Sequence, residues 1–135
     1  MPSKGQLFVG SAQPTYSKPR PSLTCWVVAT VPVVVDRANF LEVAIFIDLS
    51  RSPNASRRFD DCLRAAAIAI EPETEEQARI GRDAYREFGK GSGHPAQLNF
   101  GDCFAYALAR VTGEPLLFKG GDFGHTDVTP ARGSP

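Results

Sequence analysis

Hydrophobic and polar positions fall in blocks whose period changes along the chain. Residues 1–22 place Pro2, Pro14, Pro19 and Pro21 among Ser, Gln and Lys, a pattern that predicts an irregular leader. A β-branched run comes next (Val27, Val28, Thr30, Val31, Val33, Val34, Val35), broken by Pro32. It predicts a short buried strand at 33–35, just before Asp36. Residues 37–49 carry Phe40, Leu41, Ala44, Ile45 and Leu49 on one helical stripe, and Val43, Phe46 and Ile47 extend the apolar surface nearly all round. Such a helix is either buried or has one face against a partner. Ser52-Pro53-Asn54 ends it, and Asn54 is placed to cap a second helix running to about Ala66. Residues 67–70 predict a short strand. Thr74 and Gln77 form a capping box that opens a helix reaching Phe88. Residues 89–93 are a glycine-rich loop around Lys90. Asn99 starts a helix to Thr112 with the stripe Phe100, Cys103, Phe104, Ala107, Leu108 and Val111, and Gly113 stops it. Residues 115–118 predict a strand, and 126–128 a further short one. Strands separated by helices predict an α/β fold with a mostly parallel sheet.

Composition narrows the function classes. The 135 residues suit one domain, and 42% hydrophobic with 22% charged residues is globular usage. Fifteen basic residues balance fifteen acidic ones, which argues against a strongly basic nucleic-acid coat. The balance is uneven, because residues 1–35 hold Lys4, Lys18 and Arg20 and no acid. Any carboxylate chemistry therefore belongs to the last hundred residues. Three cysteines without C-x-x-C spacing and two histidines exclude a disulfide framework, a zinc cluster and a His-rich metal site. The apolar run at 23–35 is too short for a membrane span, and its flanking charges lie too far in for an ordinary secretory signal. A soluble cytoplasmic protein is expected.

Four acids stand out. Asp36 ends a strand-like run. Glu42 and Asp102 lie three residues after Asn39 and Asn99. Asp122 comes after a strand and Gly120-Gly121. In an α/β sheet, ligands bind beyond the carboxyl ends of the strands, where these acids would converge. Packed carboxylates repel one another unless a cation or raised pKa values relieve them. Oxygen donors without Cys or His suit Mg²⁺ or Mn²⁺, which can activate water against a phosphodiester. Taken one at a time, each acid has a simpler account. Glu42 and Asp102 have the N3 spacing of a helix cap, Asp36 could cap the helix from Arg37, and Asp122 could be a turn residue. His94 and His125 read as loop residues and Cys103 as core. Lys119 and Lys90 are possible phosphate contacts. Gly120-Gly121 is not a phosphate loop.

Read together, the motifs are distinctive. The stretch "ARIGRDAYREFGKGSGHPAQLNFGDCFAYALARVTGEPLLFKGGDF" resembles the C-terminal half of PIN-domain ribonucleases of the VapC toxin family, and "NFLEVAIFID" resembles the helix bearing their second acid. The resemblance spans residues 38–128. It implies a PIN-like three-layer α/β fold over residues 33–130, with a short central parallel sheet and an atypical first-strand region, residues 1–32 being irregular or unrelated. It further implies a metal-dependent endoribonuclease, the toxin of a type II toxin–antitoxin pair, that dimerises and is held by a cognate antitoxin. Glu42, Asp102 and Asp122 match the family's acids and would bind Mg²⁺ or Mn²⁺, with Asp36 a fourth ligand. Lys119 and Arg37 would contact RNA. Gly121 stands where relatives often have another acid.

The departure lies at the N-terminus. The family's opening strand ends in "DTSA", which is absent, and Asp36 and Glu42 are only six residues apart. Either "VVVD" is the remnant of the first strand, making Asp36 the first ligand, or it replaces the strand that precedes "ANFLE", and Asp36 is not. Two further functions stay open: a catalytically degenerate PIN remnant that only binds an antitoxin or partner subunit through the helix at 37–49, and a plain α/β domain whose acids merely cap helices.

Overall fold

A computed structural model describes residues 6–9 and 33–131. Four short strands form one sheet: β1 (Gln6–Val9), β2 (Val33–Asp36), β3 (Ala69–Glu71) and β4 (Leu116–Phe118). Their order is β3-β2-β1-β4 and every pairing is parallel. Among the described residues, α1 (Arg37–Asp48) and α2 (Pro53–Ala65) lie between β2 and β3, and α3 (Glu75–Phe88) and α4 (Phe100–Thr112) between β3 and β4.

The pattern of apolar residues locates most of this within a residue or two, for physical reasons visible in the caps. The Thr74–Gln77 capping box closes in both directions, with Thr74 N donating to Gln77 Oε1 at 2.6 Å and Gln77 N to Thr74 Oγ1 at 3.1 Å. Gly113 takes φ 68°, the left-handed conformation that ends α4. Ser52 rather than Asn54 caps α2, with Pro53 in its first turn where no amide donor is needed.

Three expectations are corrected. Residues 1–22 do not wholly lack structure, because Gln6–Val9 is the strand between β2 and β4. Its apolar core is three residues, Leu7-Phe8-Val9, too short to stand out beside the surrounding prolines. What places it is non-local: backbone pairing to β2 on one side and β4 on the other. The other residues of 1–32 lie outside those described. The strand expected at 67–70 starts only at Ala69, because Ala67 ends α2 with φ 49°. Ala67 N donates to Arg64 O and Ile68 N to Leu63 O, the paired bonds of a Schellman motif. No strand forms at 126–128. Leu116 instead bonds Thr129 O and receives Ala131 N, both at 2.8 Å, in a single bridge to Pro130.

The core lies between α3, α4 and β4. Leu98, Ala105, Leu108, Leu116, Phe118 and Phe123 are buried there, with Val34 and Ile80 packed against them. Gly81 brings α3 close to α4, since a Cβ at that position would lie 3.3 Å from Cys103 O. The loop between these helices is tied down: Lys90 N donates to Leu98 O, Leu98 N to Phe88 O, and His94 meets the Phe88 ring edge-on. This fixes where α4 begins and so where Asp102 stands.

Candidate functional site

The carboxyl edge of the sheet carries Asp36 at the end of β2 and leads from β4 toward Asp122. Asp36 pairs in register with Glu71, and β4 runs through Phe118 to Lys119. The strand order reverses between β1 and β4, which makes the carboxyl end of that pair the expected ligand crevice.

Asp36 caps α1. Its Oδ1 accepts Asn39 N at 2.8 Å and its Oδ2 accepts Asn39 Nδ2 at 2.7 Å. Asn39 Nδ2 also donates to Gly101 O at 3.0 Å, so one buried amide joins the end of β2 to the first turn of α4. The capping expectation for Asp36 thus holds, and it changes the frame for Glu42. The helix starts at Arg37, Asn39 is inside its first turn, and Glu42 lies in the second turn, exposed to solvent. Glu42 is not a cap residue. Its carboxylate leans on α4 instead: a Cβ built at Gly101 would sit 2.8 Å from Glu42 Oε2. Only glycine at 101 leaves that approach open.

Asp102 is 2% exposed. It completes a capping box in which Asn99 N donates to Asp102 Oδ2 and Asp102 N to Asn99 Oδ1, each at 2.9 Å. Burial pushes its carboxyl above the usual value of 3.8; Asp122 and Glu42 push the same way, while the Asn99 amide and Lys90 oppose them. Asp122 opens a short 3₁₀ turn (Asp122–His125) whose Phe123 is buried against Phe118, with ring centroids 5.4 Å apart. Gly120, at φ 101°, lets the chain turn there from β4. Three acids from α1, α4 and the segment after β4 therefore share one electrostatic neighbourhood.

A second pair lies beside it. Asp36 is raised by burial, opposed by its Asn39 bonds and raised further by Glu73. Glu73 Oε1 accepts Ala38 N at 2.9 Å. The sequence pattern does not single out Glu73, which sits in the acid-rich "EPETEE". Lys90, expected only as a possible phosphate contact, is the cation whose charge acts on Asp102. Lys119 and Arg37 are exposed, directly after β4 and at the first position of α1. Cys103 is buried in the core, as its place on the apolar stripe implies; burial lifts its thiol to about 11, far from a thiolate at neutral pH. His125 is exposed, and His94 Nδ1 accepts Ala96 N at 3.2 Å within its loop.

The donor set suits a hard divalent cation, being carboxylates with no Cys or His among them. The space left by Gly101 also keeps Glu42 within reach of the α4 terminus. Among the described residues, however, no three His, Cys, Asp or Glu side chains are drawn together closely enough to hold an ion. The acids are neighbours through their charges and have not closed on a common point.

A short parallel sheet carrying buried acids at its carboxyl edge and at a helix start defines an α/β domain of the PIN class, and the PIN-domain model matches residues 24–128. The chain belongs to the PIN-domain family, with the VapC proteins. It is 55% identical over 94 residues to ribonuclease VapC28 of Mycobacterium tuberculosis, covering 70% of this chain and 71% of that protein. It is 50% identical over 93 residues to ribonuclease VapC42 of the same organism, covering 69% and 71%. Ribonuclease VapC30 is 44% identical over 95 residues, covering 70% and 72%.

Proposed function

We propose that the chain is a divalent-metal-dependent endoribonuclease, the toxin of a type II toxin–antitoxin pair. The observation that carries this is the Asp102 carboxyl, raised first by its burial and then by the charges of Asp122 and Glu42 from distant parts of the chain. Structural capping needs Asn99 and Asp102 alone and gives no reason for the charges of Glu42 and Asp122 to act on Asp102.

Asp102, Glu42 and Asp122 would hold Mg²⁺ or Mn²⁺. When bound, the ion supplies Lewis acidity toward a phosphodiester and a more acidic water. The chain's own groups do the positioning. Asn99 holds one oxygen of Asp102 through its N–H, and Lys90 offsets charge beside it. Lys119 and Arg37, on the carboxyl side of the sheet, would meet RNA phosphates. Asp36 is better read as a positioning residue than as a ligand. Both its oxygens are engaged by Asn39, and it ends the strand that runs directly into the "NFLE" helix. Under this reading β1 is the family's first strand, ending here without an acid.

The protein would work in the cytoplasm, where RNA is accessible. No helix among the described residues is long and apolar enough to cross a membrane. A homodimer and a cognate antitoxin are the partners proposed. Leu41, Ile45 and Phe46 of α1 and its C-cap residue Leu49 are exposed and would give such a partner an apolar face.

The same exposed face, with the lack of any acid in residues 1–35, favours the second reading: a remnant that binds antitoxin without cutting RNA. Incubating the purified chain with single-stranded RNA in Mg²⁺, with EDTA and D102N controls, separates the two. Cleavage lost in both controls supports the enzyme. Antitoxin binding with no cleavage under any condition supports the remnant.

A further inference from the structure

A groove of about 500 Å³ runs between α3 and α4. Gln77, Arg82, Tyr85 and Arg86 line it from α3, and Phe100 and Phe104 from α4. Its wall carries two arginines and no acid. Arg82 and Arg86 are one turn apart on the same face of α3 and both are exposed, Arg86 lying 3.5 Å from Asp83. Phe100 is 77% exposed. Phe104 packs against it with ring centroids 5.0 Å apart and the ring planes at 78°. Phe100 is the first residue of α4, two positions before Asp102.

An exposed aromatic face flanked by arginines is the chemistry of single-stranded nucleic-acid binding, where bases stack and phosphates pair. A polyanion running past Asp102, Glu42 and Asp122 is repelled there and needs compensating cations close by. The groove, which includes Phe100 two positions before Asp102, carries two of them. We propose that the α3–α4 groove is a subsite for single-stranded RNA, in which an unpaired base stacks on Phe100 and Arg82 and Arg86 hold the adjoining phosphates. The subsite rests on the ribonuclease reading and adds to it the form of substrate: an unpaired strand beside the point of cleavage.

The test is fluorescence anisotropy of a short, unstructured, labelled RNA with the full chain in EDTA, so that binding is read without turnover. F100A should weaken binding at least about fivefold and F100Y should stay within about twofold of the native protein. R82E and R86E, changes at exposed helix positions that leave the core untouched, should each weaken binding and lower the salt dependence by about one ion. Native-like affinity and salt dependence in F100A, R82E and R86E would overturn the subsite. The same holds if F100A only converts a dimer to a monomer in sedimentation, or only releases a bound protein partner, with RNA affinity unchanged. D102N keeps the two proposals apart. Continued cleavage by D102N defeats the nuclease reading and leaves the groove to its binding data. An inactive D102N with native-like RNA binding by F100A defeats the groove and leaves the nuclease reading standing.

Discussion

Asn39 on α1 is bonded to Gly101 on α4: Nδ2 of the one donates to the carbonyl oxygen of the other at 3.0 Å. The same nitrogen holds Asp36 Oδ2 at 2.7 Å, so a single side chain couples the end of β2 to the helix that carries Asp102. This fixes the start of α1, which carries Glu42, against the start of α4, which carries Asp102.

Replacing Asn39 with Ala leaves the buried Asp36 oxygen and the Gly101 carbonyl without this donor. Losses of buried partners of this kind cost about 1–3 kcal/mol, and more where the stranded group is charged. Urea unfolding of N39A should therefore show a lower midpoint with an unchanged slope. RNA cleavage should fall as well, since α4 is no longer held to α1.

The raised carboxyls predict the pH dependence of the metal-free protein. Asp102 and Asp36 bind a proton more tightly folded than unfolded. Their contribution is fully present at or below the ordinary value of 3.8 and is lost as pH rises through the higher folded values. Relative to the native protein, D102N should thus gain melting temperature at pH 7 and show a shallower decline between mildly acidic and neutral pH. Thermal melts in EDTA across that range check this. An equal decline in both proteins would contradict it.

Gly101 and Gly89 should respond differently to alanine. At Gly101 the new Cβ meets the far end of the flexible Glu42 side chain, 2.8 Å away, which can swing aside. G101A should keep its melting temperature and lose RNA cleavage. At Gly89 the Cβ runs into the Tyr85 backbone oxygen, which cannot move without disturbing the end of α3. G89A should lower the melting temperature by several degrees. Paired melting and cleavage assays distinguish the two.

Ala67 offers a stabilising change. It holds φ 49° at the end of α2, where a side chain carries a steric cost and glycine carries none. A67G should raise stability by about 1 kcal/mol, read from the urea midpoint, without altering cleavage.

Local chemistry makes most elements legible. Thr74 with Gln77, Asn99 with Asp102, and Gly113 are signals complete within a few residues, and each marks a true helix end. The Val33–Asp36 strand is legible because its apolar run ends in an acid that caps α1. β1 is not, because three apolar residues among prolines acquire their meaning only from two neighbouring strands far away in the chain. At the site, the spacing of Asn39 and Glu42 imitates a cap, whereas the true cap is Asp36 and Glu42 faces α4. Glu73 and Lys90 act across the fold, on Asp36 and Asp102, and nothing in the residues around them announces it.

Glu42, Asp102 and Asp122 are proposed to take up one divalent ion between them, and the nuclease reading stands or falls with that ion. Titrating Mn²⁺ into the purified chain, with unbound ion followed by electron paramagnetic resonance, measures this without depending on cleavage. The account predicts saturable uptake by the native protein that E42Q and D102N each weaken strongly. Uptake identical in all three proteins, or none in the native chain, would contradict it.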